Sequence, residues 1–188
     1  MSALEWVAVA FGVMSVWLTV RQNPLCWPLG IVNVGLFAVL FWRERLYADA
    51  GLQLVYVAVC AYGWWAWVRG GPGAGPMRVS RVPRRAALAL LGAGVVLAAL
   101  LGLTLKRATD AALPFWDAGT TAFSLVAQWM QARKWLENWT VWIVVDVVYV
   151  GMYLSKGLHL TAGLYAAFVG LAFLGRREWT RAVRGSGR

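Results

Sequence analysis

At 188 residues, 61% of them apolar and only 14% charged, the chain has too few charges to cover a water-exposed surface. Its mean hydropathy of +0.61 places it with membrane proteins. The net charge of +10 raises nucleic acid as a partner, but the basic residues sit in short loops and near the C-terminus, which fits membrane topology and not a nucleic-acid surface.

A helical span needs about 20 mostly apolar residues. Seven stretches qualify, at 4–20, 25–42, 48–68, 86–105, 115–132, 139–154 and 158–175. The first has no basic segment before it and contains Glu5, so it is expected to stay as a helix and not to be cleaved as a signal peptide. The second opens on Pro24 and Pro28, with Gly30 just beyond, a candidate bend. Between the third and fourth lies a Gly- and Pro-rich break that cannot propagate a helix. Strand-type alternation is absent, which disfavours a β-barrel. The expected fold class is an all-α integral membrane protein with seven transmembrane helices. Cys26 and Cys60 fall inside spans and read as buried free thiols. His159 has no metal-ligand companions.

Basic residues orient the spans. Arg43, Arg45, Lys106, Arg107 and Lys156 share the side of the N-terminus, while the other 13 of the 18 lie opposite. The positive-inside rule puts the second set in the cytoplasm, with the N-terminus outside. The basic tail then reads as a topology signal in contact with lipid headgroups.

The chain also repeats itself. Asn23-x-x-x-Trp27 matches Asn138-x-x-x-Trp142, Ala50-Gly51-Leu52 matches Ala162-Gly163-Leu164, and Gly63-x-x-x-Trp67 matches Gly175-x-x-x-Trp179. The first pair is offset by 115 and the others by 112, so one three-residue gap aligns all three. The repeats start four spans apart, so they run parallel. The plan is 3+1+3: a first three-helix repeat at 1–68, a basic loop and linker helix at 69–114, a second repeat at 115–175, and a basic cytoplasmic tail at 176–188. Transporters built this way bind substrate between repeats and work by rocking one against the other.

Polar groups at bilayer depth cost about 2.5–3.5 kcal/mol and face a cavity or a partner. The fifth span carries Asp117, Thr121, Ser124, Gln128 and Gln131 on one face. The third carries Asp49, Gln53, Tyr56, Cys60, Gly63 and Trp67; the sixth carries Asn138, Trp142, Asp146, Tyr149 and Tyr153. The second adds Trp27, Gly30 and Asn33. These stripes read either as a polar cavity lined by aromatics or as interhelical glue. Thr121, Ser124 and Gln131 fit glue at least as well as ligand contact, and Asn33 fits both equally. Asp146 differs: a carboxylate deep in a span asks for a cation or a sugar hydroxyl. Of the thirteen Trp residues, several, among them Trp6, Trp42, Trp116 and Trp179, are expected in interfacial belts, and Trp27 and Trp142 are the better stacking surfaces. No nucleotide-binding loop, metal cluster or nucleophile–base pair is present, so no catalytic residues and no cofactor are expected. A proton- or sodium-coupled transporter, with Asp146 or Asp117 as the coupling carboxylate, is the alternative to a facilitator.

The runs Arg21-Gln-Asn-Pro-Leu-Cys-Trp-Pro-Leu-Gly-Ile-Val-Asn33, Leu46-Tyr-Ala-Asp-Ala-Gly-Leu-Gln53, Tyr62-Gly-Trp-Trp-Ala-Trp67 and Glu137-Asn-Trp-Thr-Val-Trp-Ile-Val-Val-Asp146 resemble the PnuC family of bacterial vitamin transporters. The resemblance covers nearly the whole chain apart from 70–85 and the tail. It implies a SWEET-like fold, a plasma-membrane location and a homotrimer. It also implies facilitated diffusion of an unphosphorylated vitamin, trapped afterwards by a cytoplasmic kinase. Nicotinamide riboside is the best known substrate, and relatives carry thiamine, riboflavin or deoxynucleosides. The family's binding motifs fall here on Trp64 with Trp67 and on Asn138 with Trp142. With the polar stripes, the expected substrate-binding set is Trp27, Asn33, Gln53, Tyr56, Trp64, Trp67, Gln128, Asn138, Trp142, Asp146 and Tyr149. Either nicotinamide riboside or thiamine, both flat cations, suits that set.

Overall fold

The computed structural model describes residues 3–43, 45, 47–70, 77–108 and 113–185. The Gly- and Pro-rich stretch at 71–76 and the side chain of Asp49 lie outside the described residues. Seven α-helices form in chain order: α1 Ala3–Val20, α2 Cys26–Arg43, α3 Tyr47–Arg69, α4 Arg84–Ala108, α5 Pro114–Ala132, α6 Asn138–Ser155 and α7 His159–Gly185. Among the described residues the only extended pairing is one isolated bridge, Ser80 to Trp135.

Among the described residues, four stretches are long and apolar enough to cross a membrane: Cys26–Arg43, Ala50–Arg69, Arg84–Ala108 and Asn138–Ser155. A shorter apolar segment of α1 runs Trp6–Val20. In α5 a polar face dilutes the apolar signal, and in α7 a basic last third does so. That last third changes an expected boundary, because α7 does not stop near residue 175 but continues to Gly185. It is anchored by Trp179, which is fully buried and donates its indole N–H to the Thr19 carbonyl at 3.2 Å.

The chain forms two compact units. The first holds α1, α2 and α3, residues 132–134, and α7 from residue 177. In it α1 packs on α2 and α2 on α3. Ser15 donates to the Cys26 carbonyl at 2.7 Å, and Asn33 Nδ2 to the Ala8 carbonyl at 2.7 Å. The second unit holds the rest, with α4 to α7. There Phe123 and Phe115 of α5 lie where a Cβ on Gly94 or Gly102 of α4 would stand.

The internal repeat keeps one register throughout. Trp27 fills the space a Cβ on Gly63 would need, and Trp139 does the same at Gly175. Gln22 and Lys134 both have left-handed backbone, at φ 56° and 50°, as do Arg45 and Gly157, at 59° and 72°. The Asn23 N–H bonds the Leu18 carbonyl as the Trp135 N–H bonds that of Met130. Every one of these pairs is 112 residues apart. No gap is needed, so Trp27 corresponds to Trp139 and Cys26 to Asn138, whereas sequence matching had set Trp27 against Trp142. The shared N-x-x-x-W spelling misled because the constrained feature is an indole seated on a glycine, not the asparagine before it.

Candidate functional site

The turn between α5 and α6 positions the strongest candidates. It is held from outside by the segment entering α4. The Leu136 N–H donates to the Ser80 carbonyl at 2.9 Å, and Glu137 Oε2 accepts the Val82 N–H at 2.8 Å. α6 therefore starts at Asn138 in a fixed orientation. Asn138 is fully buried. Its Nδ2 donates to the Trp135 carbonyl at 2.6 Å, and its Oδ1 is buried without a hydrogen-bond partner.

One turn on, Trp142 is half-buried and donates Nε1 to Gln131 Oε1 at 3.3 Å. A further turn brings Asp146, 5% exposed. Tyr149 follows, stacked with Tyr153 at 5.9 Å and against Tyr165 of α7 at 4.7 Å between ring centroids. The spacing of four, four and three residues keeps this stripe on one face. On α5, Ser124 and Gln131 are buried and Gln128 is half-buried. Thr120, buried, returns its hydroxyl to the carbonyls of Trp116 and Asp117. A cavity of about 370 Å³ opens between α5 and α6, but Phe115, Trp116, Phe123, Val141, Val144 and Val148 dominate its lining. It offers almost no polar group to a vitamin.

The first unit places the other expected residues differently. Trp27 is buried, with Nε1 lacking an acceptor, and meets Trp67 edge-on at 5.4 Å. Trp67 is itself committed. Its Nε1 donates to the Ala132 carbonyl at 3.2 Å, Lys134 Nζ lies 4.4 Å over its ring, and Trp179 packs at 6.0 Å. Asn33 ties α2 to α1 through the Ala8 carbonyl, the glue role. Gln53 and Tyr56 are half-buried on α3, and Trp64 is exposed.

Sequence reasoning did not single out Lys134, whose buried ammonium also donates to the Met77 carbonyl at 3.0 Å. Burial lowers its pKa. It also left out Trp139 and Tyr165 and placed Trp179 in an interfacial belt. The repeat signal was enough to find the two Trp residues, since both sit 112 positions after a Trp of the first repeat.

Residues 2–181 match the family model described as nicotinamide mononucleotide transporter. The nicotinamide riboside transporter PnuC of Escherichia coli (strain K12) is 27% identical over 212 residues, spanning all of this chain and 89% of its own length. The riboflavin/roseoflavin transporter RibM of Streptomyces davaonensis is 30% identical over 184 residues, covering 93% of this chain and 83% of its own. A crystal structure of the vitamin B3 transporter PnuC superposes with a TM-score of 0.75 at 25% identity, over 96% of this chain and 82% of that one.

Proposed function

Since the chain belongs to the nicotinamide mononucleotide transporter family, a family of multi-pass membrane transporters and not enzymes, we propose that it carries nicotinamide riboside into the cell by facilitated diffusion. The observation that supports this most is Asn138. Its amide oxygen is fully buried at the start of α6 with no partner, and a buried acceptor left open is an acceptor kept for a ligand. The Trp142 indole, held by Gln131, gives the nicotinamide ring a stacking surface worth about 0.5–2 kcal/mol for a desolvated cation. Gln128 faces the ribose and Asp146 the ring charge, with Tyr149 beside them. In the first unit, Trp27 keeps an open donor, whereas Trp67 and Asn33 serve packing.

Uptake runs by alternating access, and phosphorylation by a cytoplasmic kinase makes it unidirectional. The protein sits in the plasma membrane as a homotrimer, with the N-terminus outside and the C-terminus in the cytoplasm; the five-to-thirteen split of basic residues supports that orientation. The RibM relative keeps riboflavin, and thiamine by its chemistry, as second substrates.

Proteoliposomes without the kinase test the mechanism. Nicotinamide riboside should equilibrate across the bilayer and exchange in counterflow, unaffected by an ionophore. Uphill accumulation abolished by the ionophore would replace the facilitator with an ion-coupled carrier.

A further inference from the structure

The polar stripe of α6 offers a ligand open acceptors. Asn138 has spent its Nδ2 on the Trp135 carbonyl, leaving Oδ1 open. Trp142 has spent its Nε1 on Gln131. Asp146 is more than nine-tenths buried, and among the described residues no hydrogen bond or ion pair reaches its carboxylate. Eight residues separate Asn138 from Asp146, about 12 Å of helix rise, a span that one nucleoside-sized molecule covers. A carboxylate at bilayer depth without a partner is costly and is retained where something that visits the site supplies the charge.

α7 braces this stretch of α6. Tyr165 stacks on Tyr153 at 5.2 Å and 28° and lies against Tyr149 at 4.7 Å and 43°. Phe168 closes edge-on against Tyr165 at 5.8 Å. Tyr165 is also within electrostatic reach of Asp146. The ring stack packs α7 against the stretch of α6 that follows Asp146.

Resting on the reading of α6 as the substrate face, we propose that Asp146 reads the formal charge of the carried ring, and that Tyr165 is the positioning residue that holds α6 for it. The ligand class is a flat ring with a permanent positive charge, bearing N–H or O–H donors at its far end. Pyridinium and thiazolium rings qualify. The neutral isoalloxazine of riboflavin brings no positive charge to Asp146 and is bound less tightly.

Nicotinamide riboside and its dihydro form test this, because they share a shape and differ in ring charge. In the full-length protein in detergent, the cation should bind at least about tenfold more tightly than the neutral form, and riboflavin should compete more weakly than nicotinamide riboside. Asp146→Asn should bring that ratio near one by weakening the cation alone, while Asp146→Glu keeps it. Tyr165→Leu should lower the ratio, and Tyr165→Phe, which keeps the ring, should restore it. Equal wild-type affinity for the two forms, or an unchanged ratio in Asp146→Asn, would overturn the proposal while leaving the transport reading intact. Binding of neither form by wild type would remove both. The wild-type ratio needs no variant to fold.

Discussion

Trp67 and Trp179 occupy equivalent positions of the two repeats and make the same bond, each donating its indole N–H at 3.2 Å to a carbonyl at the C-terminal end of a helix from the other repeat. Trp67 reaches Ala132, the last residue of α5, and Trp179 reaches Thr19, next to the last of α1. Terminal carbonyls lack intrahelical donors, so the Trp67 indole satisfies that of Ala132, while the Trp179 indole adds a second bond to the Thr19 carbonyl, which also accepts the Gln22 N–H at 2.9 Å. Trp67→Phe and Trp179→Phe should each lower stability in detergent by about 1–3 kcal/mol. Because the two rings pack at 6.0 Å, the double variant should be non-additive by at least ~0.5 kcal/mol. Thermal unfolding of the four proteins measures both quantities.

Gly63 and Gly175 leave room for Trp27 and Trp139 and nothing more. Gly63→Ala and Gly175→Ala should each destabilise the protein by about 1–3 kcal/mol, the ordinary cost of overpacking. Gly51→Ala and Gly163→Ala, where a Cβ meets nothing within 4 Å, should leave the melting temperature within about a degree.

The Lys134 ammonium is held over Trp67 and against the Met77 carbonyl in a buried turn. Lys134→Met should therefore cost about 1–2 kcal/mol at neutral pH. Its folded pKa is lowered by burial, so the unfolded chain binds that proton more tightly. Stability from this group is lowest where both states are protonated. It rises with pH above the folded pKa and is complete above the unfolded value of about 10.4. Melting curves across that alkaline window should show the rise in wild type and its absence in Lys134→Met.

The seven helices were legible from the runs of apolar residues, because bilayer thickness fixes the length a span needs. Both cysteines fall where apolar context put them, buried and outside any disulfide. The end of α7 was not legible, since basic residues mark the close of a span but do not end a helix. Trp179 keeps that helix going by a contact 160 residues away in sequence. On α6 the period of the polar residues set Asn138, Trp142, Asp146 and Tyr149 on one face, and the helix keeps them there. On α3 the same period selected Trp67, yet spacing cannot tell an indole that faces a ligand from one whose N–H and ring are already engaged. Tyr165 escaped because it stands alone among apolar residues of α7 and gains meaning only from the α6 tyrosines beside it.

Calorimetric titration of nicotinamide riboside into wild type and Asn138→Ala is the most direct measurement. Wild type should bind tightly. The variant loses the Nδ2 bond to the Trp135 carbonyl and should fall in stability by about 1–2 kcal/mol while staying folded, yet lose about tenfold or more in affinity, the loss expected for a hydrogen bond made to the ligand. Undiminished binding by Asn138→Ala would contradict the assignment of the α6 face as the substrate site.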